Sequence, residues 1–227
     1  HMPSRRQRQM CIRDSIQMNF EKVGGNVTIS AAHEDGKADY GAEVGALAQA
    51  GGEVLIVAGY LDQGGKGIIQ ASLDSGSFDT FVLPDGMIGD SLPAAIGSDL
   101  DGSFGTVPGT DSPGAAKMSE MAKAAGFANG PFASESYDAA ALLMLSMQAA
   151  GSTDSADYAQ KVMMVANAPG EKIFPGELAK GLKILADGGD IDYVGASAVE
   201  LIGAGESAGN YREILVKGGE NTTARFR

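Results

Sequence analysis

The sequence predicts an α/β protein built on a parallel sheet, and three features carry that prediction. EVLIVAGY (53–60) and TFVLPDGM (80–87) are short apolar runs of the kind found in strands covered on both faces. GGKGIIQASLDSG (64–76), between them, has helical spacing and ends on glycine. Strand, helix, strand in succession is the rhythm of a unit that buries one sheet between helices.

The other elements follow in order. HMPSRRQRQMCIRDS (1–15) carries four arginines against one aspartate in a chain of net charge -12, and reads as a non-native leader with no apolar stretch behind its charges. IQMNFEKVGG (16–25) reads as the end of a helix, with Ile16, Phe20 and Val23 at helical spacing and a glycine stop. NVTISAAHE (26–34) alternates as a half-buried strand does, and DGKADYGAEVGALAQAGG (35–52) supplies a turn, a candidate cap at Asp39 and a helix. After about residue 105 the rhythm changes. PGAAKMSEMAKAAGF, SESYDAAALLMLSMQAAG, SADYAQKVMMVANAP and PGELAKGLKILADGG are four helical segments punctuated by Gly and Pro. Strand-like sequence returns in DYVGASAVELIG and YREILVKGG. An α/β unit, a helical excursion and a return to strands suggest two lobes.

Composition narrows the function. With 227 residues, 44% of them hydrophobic and 20% charged, the chain can bury one substantial core or two small ones. Its acidity disfavours nucleic acid and anionic membranes as partners. The single cysteine, Cys11, lies in the leader, so the body holds neither a disulfide nor a thiolate metal site. No apolar run reaches the roughly 18 residues that span a bilayer.

The familiar catalytic motifs fail one by one. GESAG (205–209) and GDSL (89–92) resemble serine-nucleophile motifs, but a serine needs a base, and the histidines are His1 and His33. GYLDQGGKG (59–67) misses the phosphate-loop spacing and has Gly67 where a magnesium-binding hydroxyl belongs. DLDGS (99–103) reads as an Asp/Gly turn, because Thr110 stands where a calcium loop requires glutamate. His33 alone makes no metal site and reads as a strand-end residue near the surface. No cofactor is expected. What remains is an aromatic and an acid at strand ends, Tyr60 and Asp85, where open parallel sheets hold their ligands. A carboxylate there can pair with a ligand ammonium and a tyrosine ring can cover an apolar part. The residues alone equally allow a turn-capping acid and a core-edge tyrosine.

Several of these stretches together resemble the later part of the periplasmic solute-binding proteins of branched-chain amino-acid ABC transporters, the Leu/Ile/Val-binding family. They are VLIVAGYLDQGGKGIIQA, FVLPDGMIGDSL, GPFASESYDAAALLMLSMQAAGS and IDYVGASAVELIGAGESAGNYREILVKGG. The resemblance implies a Rossmann-like sandwich in two lobes that close on a small polar ligand. It assigns residues 16–106 and 193–227 to the second, C-terminal lobe, and 107–192 to a helical return segment of the first. It places the ligand-binding acid on Asp85, followed by Gly86, and the cleft aromatic on Tyr60, with Leu61 as the competing register. The family commonly has glutamate at the acid position, which leaves the ligand class open. It implies a non-enzymatic, periplasmic parent that binds an amino-acid-like solute and delivers it to a membrane permease. A ligand-sensing domain of a receptor or regulator is the alternative. The family's opening first-lobe segment has no match here, so the chain is expected to be N-terminally truncated, to hold part of a site, and to self-associate through exposed strand edges.

Overall fold

The computed structural model describes residues 5–203 and 206–227, with side chains from residue 10 onward. The chain divides into two compact units, His1–Val107 with Glu213–Arg225, and Pro108–Arg212 with Phe226–Arg227. Residues 193–212 pack with the second unit, whereas the resemblance assigns them, together with 16–106, to the C-terminal lobe. The reason is local pairing, since the strand ending at Tyr193 finds its partner at Glu171–Ile173.

The first unit opens with helix α1 (Arg5–Lys22), which runs unbroken from the leader into IQMNFEK. The expected helix end thus begins inside the leader, of which residues 1–4 lie outside the described residues. Helix α2 (Gly41–Ala50) follows, and Asp39 accepts a hydrogen bond from the Gly41 N–H at 2.8 Å. Then come β1 (Leu55–Ile56), α3 (Gly65–Ser75), β2 (Phe81–Leu83), α4 (Ser91–Ile96) and β3 (Phe104–Pro108). The expected strand at NVTISAAHE does not form. The Thr28 hydroxyl donates to the Gly51 carbonyl and the His33 ring lies against Gly59, so this segment runs alongside β1 without a backbone ladder.

The second unit carries α5 (Pro113–Ala125), α6 (Ala133–Ala150), α7 (Ser155–Tyr158), α8 (Val162–Ala166), β4 (Glu171–Ile173), α9 (Leu178–Ala186), β5 (Ile191–Tyr193), β6 (Leu201–Gly203) and β7 (Glu206–Ser207). Ser112 caps α5 by accepting from the Ala115 N–H, with Pro113 preset for the first turn. Strands β4 and β5 pair in parallel, and Ala141, Leu145, Val165, Ile173, Ile191 and Tyr193 form the core around them. Asp138 on α6 is buried but fully engaged. Its carboxylate accepts from the Tyr193 hydroxyl, the Ala196 N–H, and both the N–H and hydroxyl of Ser197, at 2.6–2.8 Å. Burial and the adjacent charge push the Tyr193 phenol far up, so it stays a donor.

The chain ends in β8 (Tyr211–Lys217) and β9 (Glu220–Phe226), which complete a five-stranded sheet of order β1-β2-β3-β8-β9. The β1–β2 and β2–β3 pairs are parallel, with Leu55 opposite Phe81 and Val82 opposite Phe104. Phe81, Leu83, Val107, Ile214 and Val216 point into a core closed by Tyr40, Val44, Ile69 and Leu92. The β8–β9 turn is Gly218-Gly219, with φ of 64° and 70°, the two left-handed positions that a two-residue hairpin of this twist demands. Both glycine N–H groups donate to the Asp101 carboxylate at 2.9 Å, which holds that acid below the ordinary aspartate range. DLDGS is thus an Asp/Gly turn that anchors a hairpin.

Candidate functional site

Strands β1 and β2 run side by side in the same direction, so their carboxyl ends open at one edge of the sheet. The pairing continues one step past β1, where the Val57 N–H donates to the Val82 carbonyl at 3.1 Å. Beyond it the chain turns sharply at both ends, through a short 3-10 turn at Leu61–Gln63 after β1 and another at Asp85–Met87 after β2. Pro84 precedes the second turn with φ of -59°, the value its ring imposes.

The two turns flank a shallow hollow, open to solvent, with a cavity volume of about 20 Å³. It is lined by Ala58, Gly59 and Tyr60 from the first strand end, by Pro84, Asp85 and Gly86 from the second, and by Ile12 of α1. Apart from the Asp85 carboxylate and the Tyr60 hydroxyl, the lining side chains are apolar. Asp85 is exposed, and one of its oxygens accepts from the Gly86 N–H at 2.8 Å, which fixes the acid at the rim. Tyr60 is 36% exposed, so its ring is within reach of a ligand.

Gly86 sets how closely the walls approach. A Cβ there would lie 2.6 Å from the Gly59 carbonyl oxygen and 3.1 Å from Cδ1 of Tyr60. Only a residue without a side chain lets the second turn sit on the first. The structure therefore gathers Tyr60, Asp85 and Gly86 in one hollow. Leu61 is elsewhere, half-buried against the core of the first unit and beside Gly89. Of the two registers the sequence left open, Tyr60 is the one that lines the hollow.

His33 departs from the expectation of a surface strand end. Its ring stands edge-on to Tyr40, with centroids 6.2 Å apart, and packs on Gly59 from outside the hollow. Its Nε2 is buried, 3.8 Å from Oδ1 of Asp35. Tyr40 pins the same loop by donating to the Glu34 carbonyl and accepting from the Lys37 N–H. No local pattern in the sequence links His33 with Gly59, since the contact spans 26 residues and rests on packing alone.

The discarded motifs stay unassembled. Ser207 lies in β7 and its hydroxyl donates to the Glu200 carbonyl, while Gly205 of the same motif lies outside the described residues. Ser91 opens α4. Lys66 at the start of α3 is paired with Asp62 at 2.7 Å. Among the described residues no three His, Cys, Asp or Glu side chains are placed to hold a metal ion, and no helix is long and apolar enough to cross a membrane.

No family model and no curated protein matches the chain by sequence. Solved structures do match it. A leucine-binding protein from Thermotoga maritima aligns with a TM-score of 0.70 at 18% identity, over 94% of this chain and 55% of that one. An ABC-transporter solute-binding protein from R. palustris, in complex with benzoate, aligns with a TM-score of 0.59 at 18% identity, over 94% and 53%. A branched-chain amino-acid ABC transporter protein from Thermus thermophilus with bound valine gives 0.60 at 16%, over 94% and 55%. The chain spans about half the length of these proteins. It has the type I periplasmic-binding-protein fold.

Proposed function

We propose that the chain is the ligand-holding part of an ABC-importer solute-binding protein and binds an amino acid or related small polar solute without turning it over. The observation that carries this reading is the hollow at the ends of β1 and β2, with one carboxylate and one exposed aromatic ring facing it. Asp85 receives the ligand ammonium by a charge-assisted hydrogen bond, Tyr60 covers the apolar part, and Gly86 keeps the two walls close. The unit built on β1, β2 and β3 corresponds to the C-terminal lobe of such a protein, and the helical unit to the return segment of the other lobe. The parent acts in the periplasm and passes its ligand to a membrane permease. That the neighbours bind leucine, valine and benzoate supports a small ligand with a carboxylate.

Because the chain spans about half the length of those neighbours, it holds part of a binding site, and affinity is expected to be weak. The test is a titration of the chain with L-leucine, L-valine and benzoate, followed by amide chemical shifts. Leucine or valine should move Gly59 and Gly86 with a dissociation constant on the order of 1 mM, corresponding to about -4 kcal/mol, and Asp85→Ala should abolish the effect. Benzoate shifts that survive Asp85→Ala, with none for the amino acids, would remove the ammonium role of Asp85.

A further inference from the structure

We propose that His33 is a proton-dependent positioning residue for the hollow: its imidazole backs the wall at Gly59, and taking up a proton there resets the wall that carries Tyr60. The ring sits against both ends of the 59–64 stretch. A Cβ on Gly59 would lie 3.3 Å from its Cε1 and 3.4 Å from its Nε2, and one on Gly64 would lie 3.5 Å from its Cδ2. The loop that carries the ring is tied to the same stretch, because the Gly36 N–H donates to the Gln63 carbonyl at 3.3 Å. Gly59 is therefore held between the imidazole on one side and the Gly86 turn on the other, where a Gly86 Cβ would be 2.6 Å from the Gly59 carbonyl oxygen. A displacement on the His33 side reaches the hollow through a single residue.

The surroundings offer a charged ring partners that a neutral one uses only in part. Among the described residues, Nε2 of His33, Oε2 of Glu43 and Oε1 of Gln63 are buried with no hydrogen-bond partner. A neutral imidazole has one N–H to give, whereas a proton taken from solvent makes both ring nitrogens donors and leaves a positive charge. Two carboxylates face that charge. Asp35 has its Oδ1 3.8 Å from Nε2, and Glu43 has its carboxyl lowered by the hydrogen bond from Lys37 first and, in smaller part, by the charge on His33. The remaining charged and titratable groups here are already engaged. Lys37 is paired with Glu43 and Lys66 with Asp62, Asp39 accepts from the Gly41 N–H, and the Tyr40 hydroxyl donates to the Glu34 carbonyl. Protonation thus draws the 33–40 loop onto the ring, and the ring onto Gly59. The consequence for binding rests on reading the hollow as a ligand site, but the coupling of ring to wall does not.

The test follows the chain by NMR across a pH titration. The imidazole signals of His33 are those missing from His33→Phe, which keeps a flat ring with no nitrogen to protonate. The amides of Gly59, Tyr60 and Gly64 should shift with the same midpoint as that imidazole. His33→Phe should lose this shared midpoint while Phe81 and Leu83, in the buried sheet, keep their shifts. If His33→Phe disturbs folding, His33→Gln takes its place. Wall amides that ignore the midpoint, as a purely structural ring would leave them, overturn the proposal, and so does equal titration in the variant. L-leucine then separates the two readings. Binding about two- to fivefold tighter below the midpoint than above it, with no such change in the variant, supports the positioning role, the factor being that of one partly exposed ion pair. Equal or weaker binding below the midpoint overturns that role. Titrating wall amides with no leucine binding at either pH support the coupling and remove the ligand reading instead.

Discussion

Replacing Gly86 by alanine tests the geometry of the hollow with the smallest possible change. The added methyl would sit 2.6 Å from the Gly59 carbonyl oxygen, well inside van der Waals contact, and 3.1 Å from the Tyr60 ring. The first neighbour is backbone, held by a Gly59 N–H bond to the Val57 carbonyl, so relief requires one strand end to move rather than a side chain to rotate. Overpacking of this kind costs about 2 kcal/mol. For a chain of this size that lowers the melting temperature by about 4–8 °C. Gly45→Ala is the internal control. That glycine lies inside α2 with nothing within 4 Å of a new Cβ, so alanine should stabilise by about 0.5–1 kcal/mol. Thermal unfolding followed by circular dichroism reads both variants. If Gly86→Ala melts at the wild-type temperature while Gly45→Ala rises, the two turns are not in the close contact described, and Gly86 has no role in shaping the hollow.

Three further outcomes are expected. Asp138→Ala leaves the Tyr193 hydroxyl, two backbone N–H groups and the Ser197 hydroxyl without their acceptor in a buried place, and should cost on the order of 3 kcal/mol in urea unfolding. Acid should weaken the β8–β9 hairpin. Asp101 is held below its ordinary value of 3.8 by the Gly219 and Gly218 N–H groups, so its contribution is complete above that value and is lost as pH falls below it. Asp101→Asn should flatten this part of the stability profile, and an unchanged profile would show that the turn does not depend on the charge. Sedimentation at rising concentration should show self-association, which a persistent monomer would exclude; the exposed Leu143 and Met144 on α6 and Met163 and Met164 on α8 are apolar surface open to it.

Much of this molecule is legible along the chain because its signals are local. EVLIVAGY and TFVLPDGM mark β1 and β2 through continuous apolarity, GGKGIIQASLDSG marks α3 through spacing and a terminal glycine, and the four helical segments appear between their glycine and proline stops. Placing Tyr60 and Asp85 together needed only the rule that neighbouring parallel strands open at the same edge. The rest depended on distance through space. NVTISAAHE has the alternation of a strand but no ladder, because a strand is defined by its partner as well as its own pattern. Tyr60 and Leu61 are adjacent and both suited to a cleft, and packing against Gly89 decides that Leu61 turns inward. Asp138 sits in an apolar helix with nothing nearby in sequence to receive it, since its donors lie more than fifty residues away. Ile12 in a basic leader carries no mark of the hollow it lines. Spacing and apolarity report what a segment can bury; which neighbour it buries against is settled when the chain closes on itself.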